Sequence, residues 1–148
     1  MSRFNTKLFS SGAEFLVLSK MLLAGIESYK AYVNQEGYDL LAVNPLKNKS
    51  ATIQVKSKNF KGDSSFRLGK KTLPKVDFYV FAQTNSLTRK HTIIPDSDMP
   101  PNLYVIDVKT VKKYKKTDKK GNQYLLLSSF KDRNIYKDDW DSIKKFIK

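Results

Sequence analysis

The chain has 148 residues, with 28 Lys and Arg against 14 Asp and Glu, and so carries a net charge of +14. This length favours a single domain that spans residues 1–148, and the excess of basic residues favours a polyanionic partner. The absence of cysteine excludes disulfides, thiolate zinc sites and cysteine nucleophiles, and the single histidine, His91, excludes a metal site of several histidines. No apolar run is long enough to span a membrane, and residues 1–15 lack the apolar core of a signal peptide. We therefore expect no membrane association and a cytoplasmic location.

The positive charge is concentrated in two parts of the chain. Residues 41–75 and residues 109–148 each carry a net charge of +8, whereas residues 1–40 are neutral and residues 76–108 carry −2. The apolar residues of the middle segment and the basic residues thus occupy different stretches. We expect the core and the electrostatic surface to be built from different elements.

The first element predicted from the sequence is a helix over residues 12–33. Apolar residues recur there at steps of three and four, which is typical of an amphipathic helix, at Phe15, Leu18, Leu22, Ile26, Tyr29 and Val33. Ser11 is the predicted N-cap.

A β-hairpin is predicted next, with strands over residues 38–43 and 51–55. The link between them contains Asn44-Pro45 and Asn48, which are typical turn residues. Residues 59–75 are polar, basic and glycine-containing, and they predict a loop or a short helix.

The rest of the chain predicts three strands, a basic segment and a final helix. The β-branched and aromatic residues of 76–82 favour a buried strand, and three prolines within 84–102 favour a loop. Further elements are expected as strands at 103–108 and 124–130, a helix or basic loop at 111–120, and an amphipathic helix at 137–147. This order predicts an α/β fold with a mixed β-sheet flanked by helices.

Four polar residues of the first half stand out as a candidate site. Glu14 is expected on the buried side of the first helix, and Asp39 lies among apolar residues at the start of the first hairpin strand. Gln54 and Lys56 are two residues apart on the second strand, and therefore share one face. A hairpin places Asp39 near that pair, where a charge among apolar residues is costly without a partner such as a metal ion.

Phosphodiester hydrolysis is the chemistry that this set of residues suits. A hard cation such as Mg²⁺ binds carboxylate and carbonyl oxygens and keeps several waters. It acts as a Lewis acid and lowers the pKa of a bound water. A neighbouring lysine can orient or deprotonate the attacking water and stabilise the charge of the phosphorane-like transition state.

These residues resemble the PD-(D/E)xK nuclease superfamily. The resemblance rests on the helix acid Glu14, the sequence G-Y-D-L-L at 37–41 and the sequence Q-V-K at 54–56. The pattern is similar to that of small Holliday-junction resolvases, and the Gln is similar to the QxK variant of a homing endonuclease. The resemblance covers about residues 10–83 and implies a restriction-endonuclease-like core with α-β-β-β-α-β order.

The resemblance implies a role for each residue of the site. Asp39 would be the central metal ligand, Gln54 would stand at the second ligand position, and the Val55 carbonyl would be a further ligand. Lys56 would be the catalytic lysine. Glu14 would bind Mg²⁺ or Mn²⁺ directly or through water. The neutral Gln54 removes one anionic ligand and is expected to weaken metal affinity.

A second set of residues matches the same pattern more literally. Pro95-Asp96 is followed by Asp107-Val108-Lys109, but Asp96 lies in the proline-containing loop rather than on a strand. We therefore favour the Asp39 set.

Structural roles are the alternatives for the favoured residues. Ser11 and Glu14 match a capping box, Asp39 could cap a turn after Gly37, and Gln54 with Lys56 could be the solvated face of a strand.

The basic segment after the second hairpin strand is a candidate DNA-binding surface, made of Lys58, Lys61, Arg67, Lys70 and Lys71, and the lysine-rich stretch at 109–120 is another. Together these observations predict a Mg²⁺-dependent endonuclease that acts on DNA as a homodimer or a higher homo-oligomer. The alternatives are a catalytically inactive nucleic-acid-binding module on the same fold and a basic scaffold protein.

Overall fold

The computed structural model describes residues 3–32, 37–60, 65–70, 72–87 and 100–148. The described helices are α1 Arg3–Leu23, α2 Val108–Tyr114 and α3 Trp140–Phe146, with short 3₁₀ turns at Leu127–Ser129 and Arg133–Tyr136. The described strands are β1 Ser28–Lys30, β2 Leu40–Asn44, β3 Lys49–Phe60, β4 Ser65–Gly69, β5 Phe78–Leu87, β6 Asn102–Asp107, β7 Lys116–Thr117 and β8 Gln123–Leu126. No described helix is long and apolar enough to cross a membrane.

A five-stranded mixed sheet in the order β1-β2-β3-β5-β6 forms the centre of the structure. Strands β1, β2 and β3 pair antiparallel, β3 and β5 pair parallel, and β5 and β6 pair antiparallel. The predicted hairpin is present, with Leu40 opposite Ile53. The predicted α/β fold class, a mixed sheet flanked by helices, is confirmed.

The crossover between the parallel strands β3 and β5 differs from the expected order of elements. The α-β-β-β-α-β order has a helix there, whereas the described part of this crossover contains β4. Strand β4 pairs with β8 in a second sheet of order β4-β8-β7. The prediction of a loop or short helix was therefore wrong for Ser65–Gly69, where Phe66 and Leu68 are buried and Arg67 is exposed with the alternation of a strand.

Two apolar cores cover the two faces of the main sheet. On one face, α1 packs Ala13, Val17 and Met21 against a sheet surface that includes Ile53 and Val80. Strand β5 also has a buried opposite face, as expected for a central strand covered on both sides. There Tyr79 and Phe81 pack against Phe66, Leu125 and their neighbours, with the rings of Phe66 and Phe81 5.1 Å apart.

Helix α1 lies earlier in the chain than the apolar pattern indicated. It ends at Leu23, and Gly25 follows with a φ of +80°, which is typical of a helix C-terminus. Residues 28–30 form β1 instead of helix, and Val33 lies outside the described residues.

The face of α1 that packs on the sheet was also predicted incorrectly. Phe15 and Leu22 are each 50% exposed, and the smaller Ala13 and Val17 face the core instead. The helix has two apolar stripes, so that periodicity alone does not identify the buried one. Ser11 lies inside the helix, and the predicted N-cap and capping box are therefore wrong.

The C-terminal half contains the predicted elements with shifted ends. Strand β5 continues to Leu87 into the predicted loop, β6 occupies Asn102–Asp107, and β8 stops at Leu126 before a 3₁₀ turn. The basic segment at 111–120 contains the end of α2 and the short strand β7. The final helix, α3, buries Ile143.

Gly37 is a backbone position that only glycine suits, two residues before Asp39. Its φ is +76°, and a Cβ atom there would lie 2.9 Å from Pro74 Cβ. Gly37→Ala combines a left-handed backbone cost of about 1–2 kcal/mol with this overlap. The Tm of Gly37→Ala should fall by about 2–4 °C for each kcal/mol of the backbone cost, and the overlap with Pro74 should add to that fall.

Gly25→Ala is the matched control for this substitution, because Gly25 has a φ of +80° and a Cβ atom there would have no neighbour within 4 Å. It carries the backbone cost alone, so its Tm should fall less. Equal losses in the two variants, measured by calorimetry, would contradict the close contact with Pro74.

Candidate functional site

Asp39 lies directly before β2, and the pairing of Leu40 with Ile53 places it opposite Gln54. Its backbone N–H donates to the Ile53 carbonyl over 2.9 Å. Its carboxylate oxygen Oδ2 accepts two hydrogen bonds of 2.7 Å, one from the Val55 N–H and one from Gln54 Nε2. Asp39 precedes the first residue of β2, so its side chain, rather than a strand backbone, accepts the hydrogen bond from the Val55 N–H of β3.

Gln54 and Lys56 share the face of β3 that is partly open to solvent. Thr52, Gln54 and Lys56 are partly exposed, whereas Ile53 and Val55 alternate with them and are buried. The structure therefore brings Asp39, Gln54 and Lys56 together, as the hairpin predicted. Asp39 bonds to β3, and this is a different contact from a cap on the turn after Gly37.

Glu14 reaches this region from α1, where it follows the buried Ala13. Its carboxylate forms an ion pair with Lys30 of β1, and the two side chains are 21% and 13% exposed, respectively. Lys30 lies opposite Leu40 in the sheet, and the next residue, Ala31, donates its N–H to the Asp39 carbonyl over 2.9 Å. Glu14 and Asp39 are therefore linked through β1.

Lys30 is a site residue that the sequence reasoning missed. The apolar spacing of residues 12–33 placed it on a helix, away from the hairpin. In Ser28-Tyr29-Lys30 the polar Ser28 is buried and the aromatic Tyr29 is exposed, the reverse of what their polarity indicates, so no local pattern identifies this three-residue strand.

Burial raises the pKa of Asp39 above its ordinary value, and the negative charge of Glu14 raises it further. The hydrogen bond from the Val55 N–H and the positive charges of Lys56 and Lys30 lower it, but do not cancel the increase. The site thus keeps two acids close enough to interact, with two lysines beside them. Such an arrangement is more common at functional sites than in a structural core.

The donor atoms of the site suit a hard cation. No group of three or more Asp, Glu, His or Cys residues fit for a metal is present in the described ranges. Mg²⁺ is nevertheless often held by one or two carboxylates together with waters and substrate phosphates. Asp39 and Glu14 could supply two carboxylates, and the Val55 carbonyl is the neutral oxygen that the sequence predicted as a further ligand. Gln54 directs its Nε2 at Asp39, so a half-turn of its amide would present the oxygen instead.

The residues predicted to bind DNA have been placed in part. Lys58 follows Lys56 on the same partly exposed face of β3, while Arg67 of β4 and Lys70 just after it are exposed. Lys61 and Lys71 lie outside the described residues.

Asp107, from the alternative motif, has a structural role. It is the N-cap of α2, where its carboxylate accepts from the Thr110 N–H at 2.9 Å and from Thr110 Oγ1 at 2.6 Å. Lys109 is exposed on α2. Asp96, the other acid of that motif, and His91 lie outside the described residues.

Comparison with known proteins gives a match in structure alone. No protein-family model and no curated protein matches the chain. A solved structure that does match is that of a bacterial homing endonuclease, I-Ssp6803I. The two have a TM-score of 0.57 and 17% sequence identity over 95% of this chain and 93% of the other. The chain therefore shares the fold of a homing endonuclease over almost the whole length of both.

Asp39→Asn tests the electrostatic strain at the site. A raised pKa in the folded protein means that ionised Asp39 lowers stability at neutral pH, and this loss disappears as the pH falls through the folded pKa. Asn is neutral and keeps an oxygen acceptor for Val55. We expect a higher Tm than wild type at pH 7, by about 2–4 °C per kcal/mol regained, and a smaller gain in acid.

Asp118→Asn is the control of opposite sign. Hydrogen bonds from the side chain and backbone of Asn122 lower the pKa of Asp118, so its ionised form is favoured by folding and the substitution should lower Tm. Thermal unfolding of both variants between pH 4 and pH 7 is the measurement. A lower Tm for Asp39→Asn at pH 7 would mean that the Asp39 charge stabilises the fold.

Proposed function

We propose that this protein is a metal-dependent endonuclease that hydrolyses DNA phosphodiester bonds. The observation that carries the proposal is the meeting of Asp39 with Gln54, beside Lys56 and within electrostatic reach of Glu14. Sharing a fold with a protein described as a homing endonuclease supports it, as does the net charge of +14.

Each residue has a defined task in the proposed reaction. Asp39 and Glu14, with the Val55 carbonyl and the Gln54 amide oxygen, would hold Mg²⁺ or Mn²⁺. When bound, the ion supplies positive charge to the phosphate and lowers the pKa of water. Lys56, on the same face of β3 as Gln54, orients the attacking water and stabilises negative charge on the phosphate. Because Gln54 is neutral, the ion would be held by only two carboxylates.

DNA is the proposed polyanionic partner, with the segment between β3 and β5 as its main binding surface. Lys58 follows the site on β3, and Arg67 and Lys70 are exposed on and after β4. Lys61 and Lys71 belong to the same segment by sequence. These cations would contact phosphates on either side of the scissile bond, mostly without regard to base sequence.

A catalytically inactive DNA-binding module is the second candidate, and two contacts favour it. The Gln54 amide is hydrogen-bonded to Asp39 through its nitrogen, and the Glu14 carboxylate is already paired with Lys30. Both contacts satisfy the acids without a metal ion. Nicking of DNA that depends on added Mg²⁺ or Mn²⁺ separates the two candidates.

The assembly and location follow from the proposed activity. Two copies with one site each can cut both DNA strands within one complex, so we propose a homodimer or a higher homo-oligomer. We propose the cytoplasm as the place where it meets DNA.

Lys56→Ala is the central test of the proposed activity. One positive charge among many is lost, so DNA binding should remain close to that of wild type. Nicking at saturating protein should fall by about 10²–10⁴-fold, the usual effect of a positioned acid–base group. The measurement is metal-dependent nicking of supercoiled plasmid, beside a binding titration on the same DNA.

Two further variants complete this test. Lys109→Ala removes an exposed lysine from the alternative motif and should keep full nicking, whereas Asp39→Asn should lose nicking while remaining folded. Full nicking by Lys56→Ala together with loss of nicking in Lys109→Ala would identify the Asp107 set, rather than the Asp39 set, as the catalytic site. The absence of metal-dependent nicking in the wild type would favour the binding module.

A further inference from the structure

Lys30 is the residue of the site to which the proposed reaction gives no task. It lies on β1, one strand away from Asp39, and its ammonium forms an ion pair with Glu14. Its side chain is only 13% exposed. Its positive charge also lowers the pKa of Asp39, and therefore reaches both acids of the site.

The contacts of Lys30 are those of a counter-cation. The negative charge of Glu14 raises the cost of ionising Asp39, and the nearby positive charge of Lys30 offsets part of it. A metal ion bound by the same two carboxylates would serve the same purpose. The ammonium and the ion would also repel each other, and the low exposure of Lys30 and Glu14 limits the screening of that repulsion by water.

Two aromatic rings attract the ammonium in addition to Glu14. Lys30 Nζ lies 5.3 Å from the centroid of the Phe15 ring and 6.0 Å from that of Tyr32. Both distances are within the range of cation–π attraction. The ammonium therefore has attractive contacts that do not depend on Glu14.

We propose that Lys30 is a resident counter-cation of the Glu14 and Asp39 pair, which the metal ion must displace before the site is active. This inference rests on the proposed function. Lys30 neutralises the acids in the metal-free protein and thereby keeps metal affinity low. On metal binding, Glu14 is released to the ion, and the ammonium keeps the attraction of the Phe15 and Tyr32 rings.

Lys30 could also assist metal binding by holding Glu14 in place, but this effect is weaker than its repulsion of the metal ion. Glu14 is attached to α1 near the buried Ala13, so losing the ion pair frees only its side-chain rotations. Removing a positive charge beside two ligands removes a direct repulsion. We therefore expect metal affinity to increase without Lys30.

Titration of Mn²⁺ into the purified full-length protein by calorimetry tests this displacement. Lys30→Met keeps most of the side-chain length and removes its charge, and it should bind Mn²⁺ roughly tenfold or more tightly than wild type. Lys20→Met removes an exposed lysine from α1 and should bind as wild type does. Lys30→Arg keeps the charge and should also retain the low affinity.

Thermal unfolding gives a readout that needs no catalysis. Without metal, Lys30→Met should have a lower Tm than wild type, because the two acids lose their counter-cation. Added Mn²⁺ should raise the Tm of Lys30→Met more than that of wild type. Lys30→Gln, which can still donate a hydrogen bond to Glu14, reports the same change in affinity if the Met variant does not fold.

The outcomes distinguish this inference from the proposed function. Mn²⁺ binding that Asp39→Asn abolishes, but that is equal or weaker in Lys30→Met and Lys30→Gln, overturns the displacement and leaves the metal site intact. Affinity as high in Lys30→Arg as in Lys30→Met overturns it as well, since charge would not be the cause. Failure of wild type and both neutral variants to bind Mn²⁺ overturns the proposed metal site itself, and the displacement with it.

Discussion

The site depends on one hydrogen bond, from the Val55 N–H to the carboxylate of Asp39. Strand β2 begins at the residue after Asp39, so the edge of β3 beyond Ile53 would otherwise lack a backbone partner on that side. The Asp39 carboxylate accepts the Val55 N–H in place of a backbone carbonyl. This contact avoids the cost of a buried backbone N–H without a partner. The same bond fixes a carboxylate beside the partly exposed residues of β3. Strand pairing and the position of the acid are thus set together.

The rest of the fold keeps this arrangement rigid. Strand β5 pairs with β3 in parallel and is buried on both faces, by α1 and α3 on one side and by β4, β8 and α2 on the other. Asp77, just before β5, accepts hydrogen bonds from the Thr52 N–H and Oγ1, which secures the start of the same pairing. The site residues therefore stand on elements held by two cores, while their own charges remain near the start of β2. An acid that burial penalises persists in this setting, as is common where function is in conflict with stability.

The sequence predicted those parts of the structure that depend on local patterns. The Asn-Pro turn and its flanking apolar runs identified the hairpin, and the hairpin brought Asp39 to Gln54. The prediction was wrong where two local patterns compete. Helix α1 has two apolar stripes, and only packing against the sheet selects Ala13 and Val17 over Phe15. Lys30 was missed because the helical apolar spacing continues past the end of α1 into β1, and β4 was missed because its partner, β8, lies far away in the chain. The functional roles of the site residues remain predictions.

Anomalous diffraction from a crystal of the protein grown with Mn²⁺ tests the central claim, that the acid of α1 and the acid before β2 form one metal site. We expect a peak bonded to the carboxylates of Asp39 and Glu14 at about 2.1 Å, the usual distance for a small hard cation. The Gln54 amide should then present its oxygen. A peak elsewhere, or none near Asp39 in protein that nicks DNA at the same Mn²⁺ concentration, would contradict it.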